Sequence, residues 1–243
     1  MNFQVLYQKA PITLLFILSF VGFMLYQLTQ GVSLDNPSSK DLISFGANFL
    51  PLTLMGEPWR LLQSVFLHIG LIHLLFNGFA MYYFGQVVEQ IIGKSSFLLV
   101  FLLSAVGGNL LNLFITWQGV LNGGVVGLSA GASGGIMGLG AFLLMLAGLK
   151  TPTVFILNTK NLAMVMTLNL IMGFAIAGID NAAHIGGMLV GLCLGLVMSL
   201  VLKNRLSKMM FWVVSTLLVL GFVLTWWHLH TQLLMYVGGV GLV

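Results

Sequence analysis

Three properties of the chain predict an all-α polytopic membrane protein. Hydrophobic residues make up 59% of it and charged residues 6%, so a water-soluble fold would lack enough polar surface to cover itself. From Ser95 to Leu149 there is no Asp, Glu, Lys, Arg or His, which is long enough for two bilayer crossings at about 20 residues each. The apolar residues come in long runs rather than the short alternating segments of a transmembrane barrel.

Seven spans are predicted, at roughly 11 to 28, 70 to 91, 96 to 117, 131 to 149, 160 to 178, 182 to 202 and 209 to 227. The first apolar run, Pro11 to Leu28, is longer than a signal-peptide core and has no small-x-small site before Gln30, so it reads as a retained span. Between it and the second span, Leu42 to Gly56 is fairly apolar. Pro51 interrupts it, and Asp41 and Glu57 bracket a stretch too short to cross. Residues 30–69 are therefore expected as an external, partly embedded loop, with Trp59 as a headgroup-level anchor and Arg60 beside it.

The basic residues set the orientation. With the N-terminus inside, Lys9, Lys94, Lys150, Lys160, Lys203, Arg205 and Lys208 are cytoplasmic and only Lys40 and Arg60 external, the bias that cytoplasmic loops carry. The organisation expected is a first transmembrane helix in 1–29, the loop 30–69, five further crossings in 70–202, then a cytoplasmic turn, a seventh helix and an external tail in 203–243. The net charge of +4 is spread over these loops without a contiguous basic face, which argues against nucleic-acid binding. Cys193, the single cysteine, excludes an internal disulfide.

Under this topology the second, fourth and sixth spans all enter from the external side. His73 and Asn77, Ser133, and His184 lie in their first turns, within roughly 10 Å of that boundary at 1.5 Å per residue. An ionisable group at membrane depth is costly, so function is the default for His184. A hydroxyl paired with an imidazole is a nucleophile with its base, and the chemistry it points to is peptide-bond hydrolysis inside a bilayer.

His73 and Asn77, four residues apart, share a helix face and suit stabilisation of an oxyanion, with the Ser133 N–H at a helix N-terminus as a further donor. Ser133 and His184 can meet only if their helices approach closely. Gly131, Gly134, Gly135 and Gly138 on one span, and Gly187, Gly191 and Gly195 on the other, supply the small-residue surfaces for that.

The chain resembles the rhomboid family of intramembrane serine proteases. Gly131-Ala132-Ser133-Gly134 matches the family's G-x-S-G motif and Ala183-His184-Ile185-Gly186-Gly187 its A-H-x-x-G motif. His68, His73 and Asn77 match H-x-x-x-x-H-x-x-x-N, Trp59-Arg60 the first-loop pair, and Gly85 with Glu89 the G-x-x-x-E element. Together these cover about residues 59 to 200.

The resemblance implies a six-helix catalytic core with a seventh helix appended. Ser133 would be the nucleophile, His184 the general base and later acid, and His73, Asn77 and the Ser133 N–H the oxyanion donors. No metal or cofactor is implied. The expected partners are transmembrane protein substrates and the lipid bilayer. Many members carry Tyr or Phe four residues after the nucleophile, stacked on the imidazole, where this chain has Met137; a thioether packs against an aromatic ring at useful strength.

Other polar residues invite plainer expectations. Asn181 is the expected neighbour of His184, and Asp180 as a triad carboxylate is the minority alternative. His68 is expected to order the external loop. His228 and His230, beside Trp226 and Trp227, read as an interfacial anchor, and Glu89 and Lys94 as helix-end stabilisers. The string G-x-S-x-G also occurs here, but an α/β-hydrolase elbow needs a preceding strand and a soluble sheet.

Two rivals to proteolysis make different demands on the sequence. A non-proteolytic rhomboid-like protein that binds transmembrane helices predicts loss of Ser133 or His184, and both are present. A transporter expects polar groups at the midplane of paired repeats, whereas here they gather near one surface. A compact chain without a transit peptide is compatible with a bacterial inner membrane.

Overall fold

The computed structural model describes residues 3–175 and 179–239. The chain is helical almost throughout, as an integral membrane protein must be where no water can satisfy backbone groups. In order come α1 (Phe3–Lys9), α2 (Pro11–Thr29), α3 (Ser39–Ser44), β1 (Asn48–Phe49), α4 (Leu50–Leu54), α5 (Arg60–Gln63) and a 3₁₀ turn at Ser64–Phe66. Then follow α6 (Leu71–Ile92), α7 (Lys94–Leu121), β2 (Leu128–Ser129), α8 (Ser133–Gly148), α9 (Thr159–Ala175), α10 (Asn181–Leu202) and α11 (Lys208–Gly239).

Five of these, α2, α6, α7, α10 and α11, are long and apolar enough to cross a membrane, and α8 is a shorter apolar helix of 16 residues. The fifth expected span, 160 to 178, is helical through Ala175, and its last three residues lie outside the described part. The last helix is longer than the expected span of 209 to 227: it continues to Gly239 over 32 residues, because no Pro or charged residue breaks the run.

The segment 30–69 does not cross. Pro51 stands at the start of the short α4, and Ser38 closes a capping box with Asp41 at the start of α3. Arg60 is buried at 4% exposure. It pairs with Glu57 at 2.6 Å, donates to the carbonyls of Ile43 (2.7 Å) and Ala47 (3.1 Å), and lies 4.8 Å over the Trp59 ring. A guanidinium with several donors in fixed directions can tie three parts of one loop together.

Two devices hold the bundle. At the end away from Ser133, Glu89 accepts from the backbone N–H of Ile12 (3.0 Å) and Thr13 (2.8 Å) and from Thr13 Oγ1 (2.8 Å), capping the first turn of α2 whose donors have no helical partner. Gly85, inside a π turn at Met81–Gly85, leaves room for that threonine: a Cβ there would lie 2.9 Å from Thr13 Cγ2. In the centre, α7, α8 and α10 interlock through glycines. A Cβ on Gly187 would overlap the Gly134 carbonyl, and one on Gly191 the Gly138 carbonyl. One on Gly108 would meet the Ala183 carbonyl at 2.5 Å. Around this ridge Phe16, Phe20, Phe97, Phe101 and Phe142 form the apolar core, with Phe16 and Phe101 rings 4.4 Å apart.

Candidate active site

The start of α6 is fixed to the loop before it. Leu71 N–H donates to the Leu34 carbonyl (3.1 Å), and Gly70, at φ +94°, would place a Cβ 3.0 Å from the Asp35 carbonyl oxygen. One turn in, the backbone N–H of Ile69 donates to His73 Nδ1 at 3.2 Å. That bond assigns the tautomer: Nδ1 is the acceptor, so Nε2 carries the hydrogen.

His73 Nε2 points at Gly131, where a Cβ would stand 2.9 Å from it and 2.7 Å from Cε1. Asn77 Nδ2 reaches the same place, 3.6 Å from that Cβ position, and is buried without a partner among the described residues. Two N–H donors therefore converge on the backbone two residues before Ser133. Gly131 is required twice over, by a φ of +130° that L side chains avoid and by the imidazole against it.

Ser133 is the first residue of α8, so its N–H is among those without a helical acceptor. Its neighbour Gly134 would place a Cβ 3.1 Å from the carbonyl of Ala183, the residue before His184. The backbones that carry Ser133 and His184 thus touch at the top of the glycine ridge. Among the described residues no hydrogen bond joins Ser133 Oγ to the imidazole, and His184 Nδ1 is buried and unpartnered. Contacts of this kind commonly tighten only once substrate is bound.

The residues expected beside His184 have hydrogen-bond partners of their own. Asp180 caps α10, its Oδ1 accepting from Ala183 N–H at 2.9 Å. Asn181 turns toward α9: its Nδ2 donates to the Leu170 carbonyl (3.4 Å), and its Oδ1 stands where a side chain on Gly173 would be. Asp180 Oδ2 and Asn181 Oδ1 are left without a partner among the described residues, and no hydrogen bond joins either residue to His184 Nδ1. Met137 is buried with Ala141 and Met166, flanked by Phe84 and Met188, so its thioether fills the space between α8, α9 and α10.

His68 lies in the loop before α6, 1% exposed, with its ring 5.1 Å from Phe20 and 5.3 Å from His73. Its Nδ1–H faces the Phe66 carbonyl at 3.3 Å. Burial, and secondarily the neighbouring His73, hold its pKa down to about 3. It is a neutral packing group that backs His73.

Two positioning residues were not anticipated from the sequence. Ser64 accepts the Gly131 N–H on its carbonyl at 2.9 Å, and Asn109 in α7 donates to Ser64 Oγ (2.9 Å) and the Leu61 carbonyl (2.8 Å). The signal was available: an amide within a long uncharged apolar run must have a partner. Beside them, Asn48 pairs with Ser129 in the β1–β2 bridge. Among the described residues no three His, Cys, Asp or Glu side chains gather to hold a metal ion.

Comparison with known proteins converges on the same segment. A family model described as the Rhomboid domain matches residues 55–201. The chain is 35% identical over 185 residues to "Rhomboid protease GluP" of Bacillus subtilis (strain 168), an alignment covering 75% of this chain and 34% of that protein. It is 31% identical over 207 residues to "Rhomboid protease AarA" of Providencia stuartii, covering 78% and 73%. "RHOMBOID-like protein 6, mitochondrial" of Arabidopsis thaliana is 35% identical over 167 residues, covering 67% and 51%. The chain thus spans about a third of the first relative's length, three quarters of the second's and half of the third's. With the family model matching more than half of its residues, this chain belongs to the rhomboid family.

Proposed function

We propose that this protein is an intramembrane serine endopeptidase that cleaves transmembrane segments of membrane proteins with a Ser133–His184 dyad. The observation that carries this reading is the convergence of His73 Nε2–H and the unpartnered Asn77 Nδ2–H on the backbone at Gly131, beside a serine that opens a helix. Donors fixed where negative charge develops stabilise the transition state by about 2.7–4 kcal/mol each.

Ser133 Oγ attacks the scissile carbonyl carbon as His184 takes its proton. The carbonyl oxygen becomes an oxyanion held by His73, Asn77 and the Ser133 N–H. Collapse expels the amine, which takes the proton from His184 and leaves an acyl-enzyme. Water, deprotonated by His184, then frees the carboxylate and restores Ser133. Asp180 spends one carboxylate oxygen on the cap of α10 and makes no hydrogen bond to His184 Nδ1 among the described residues, which supports a dyad over a triad.

A substrate helix has to unwind before its carbonyl is accessible, so segments with helix-weakening residues near the cut are the expected substrates. Entry past α9 fits its loose seating, since Met166 is its one buried residue among those described. The partly embedded loop 30–69 then shields the cavity. The clustering of seven of nine basic residues on the loops away from Ser133 supports a cytoplasmic N-terminus, an external C-terminus and an external site, in a bacterial inner membrane.

A fluorophosphonate probe tests the assignment. Wild type labels, Ser133→Ala does not, and mass mapping of a digested transmembrane substrate gives products from a single region near its external end. Absence of labelling in wild type as well would favour a non-proteolytic helix-binding protein.

A further inference from the structure

The outer half of α11 does more than cross the membrane. The short α4 ends at Leu54, leaving the carbonyls of Thr53 and Leu54 without helical partners. Both are taken by α11: Trp226 Nε1–H donates to Thr53 O at 3.0 Å and His230 Nδ1–H to Leu54 O at 2.6 Å. The two rings stack on each other at 5.1 Å and 6°. Two residues on, Gln232 accepts from Trp117 Nε1 of α7 at 2.8 Å, and Leu229 and Leu233 are buried against Leu50, Leu54 and Trp117. A residue pair that merely sat at the headgroups would have no reason to point at these two carbonyls.

From α4, two hydrogen-bonded routes lead to the nucleophile loop. Thr53 Oγ1 donates to Asn48 Oδ1 (3.0 Å), and Asn48 pairs through its backbone with Ser129, two residues before Gly131. Asn48 Nδ2 also donates to the Asn109 carbonyl (3.2 Å), and Asn109 holds Ser64, whose carbonyl fixes Gly131 N–H. We propose that Trp226 and His230 are positioning residues: by capping α4 they brace the first loop, and through Asn48 and Ser64 they hold Gly131 and the donors around it in register. The catalytic consequence rests on Ser133 being the nucleophile, whereas the mechanical one does not.

The test uses the full-length protein in detergent or proteoliposomes. Trp226→Phe combined with His230→Leu keeps the packing and removes both donors. Fluorophosphonate labelling of this variant slows about tenfold, and kcat on a transmembrane substrate falls in step while KM stays within about twofold. Hydrogen exchange of the segment 126–134 quickens about tenfold. His230→Asn, which restores an N–H near the Nδ1 position, recovers most of both relative to His230→Leu. Leu224→Ala, on the same helix and exposed, changes neither.

Wild-type labelling or wild-type exchange in the double variant overturns the brace, whichever of the two is unaltered. If the double variant fails to fold, Trp226→Phe alone is read in the same two assays against the same criteria. Exchange that quickens in a protein whose wild type does not label leaves the brace standing and removes the protease assignment instead.

Discussion

Replacing Gly131 by alanine tests the oxyanion cradle with a single carbon atom. The backbone there has φ +130°, and an L side chain in such a conformation costs about 1–3 kcal/mol. The new Cβ would stand 2.7 Å from His73 Cε1 and 2.9 Å from Nε2, where ordinary contact begins at 3.4 Å. The imidazole is held on its other side by the Ile69 N–H (3.2 Å) and by the His68 ring, so it must retreat by the better part of an ångström against its own anchor. Losing one aligned oxyanion donor costs about 2.7–4 kcal/mol, or 10²–10³ in kcat.

Single-turnover cleavage of a transmembrane substrate reads this directly. The expected result for Gly131→Ala is a kcat lower by about 10², with KM within about threefold, because the donors act on the transition state rather than on the bound helix. A double variant with His73→Ala is no slower than His73→Ala alone, since both changes remove the same donor. Gly131→Ala cleaving within about threefold of wild type, or adding its full effect to His73→Ala, refutes the placement of His73 at the reacting carbonyl.

The remaining predictions concern the frame. Glu89→Gln keeps the shape but turns one acceptor oxygen into a donor facing Ile12 or Thr13; it lowers stability by about 1.5–3 kcal/mol, read as a lower thermal midpoint in detergent, with catalysis by the surviving folded fraction unchanged. Gly191→Val forces α10 off the Gly138 carbonyl and separates the helices that carry Ser133 and His184, so labelling is lost even where the protein still folds. The folded pKa of His68, about 3, is below the ordinary 6.5. The unfolded chain therefore binds a proton first as pH falls, and this contribution to stability, present above pH 6.5, is lost as pH drops toward 3. Thermal midpoints across that window fall less steeply in His68→Phe than in wild type.

The residues of the candidate site were legible because they are of types that are expensive in a bilayer. Ser133, His184, His73 and Asn77 stood out as polar groups in apolar runs, and the glycines at 187 and 191 announced a close helix crossing. What was not legible depends on backbone carbonyls, which leave no trace in a sequence. The Ser64 carbonyl that fixes Gly131 and the Thr53 and Leu54 carbonyls that receive Trp226 and His230 belong to residues of ordinary appearance. The link from Asn181 to α9 was hidden for a similar reason. Spacing puts it one turn before His184, but its side chain follows the opening at Gly173, a partner on another helix that spacing within α10 cannot reveal.

The distribution of unsatisfied polar atoms separates frame from site. Glu89, Arg60 and Asn109 are buried, and each makes two or three hydrogen bonds. Among the described residues, buried side-chain atoms without a partner are His68 Nε2, Asn77 Nδ2, Asp180 Oδ2, Asn181 Oδ1 and His184 Nδ1, all at the Ser133 end, with Ser104 Oγ the exception further along α7. Each such group costs about 1–3 kcal/mol, so their concentration is a standing destabilisation. On the proposed function one of them, the Asn77 amide, would have a catalytic use, because a donor with no bond to break meets an incoming oxyanion without reorganisation. Asn77→Leu, close in volume, removes one of these orphans. It should therefore raise or preserve the thermal midpoint while lowering kcat about 10²-fold. A variant that lost stability and activity together would mean that Asn77 holds the fold, and that its unpaired amide is not a prepared donor.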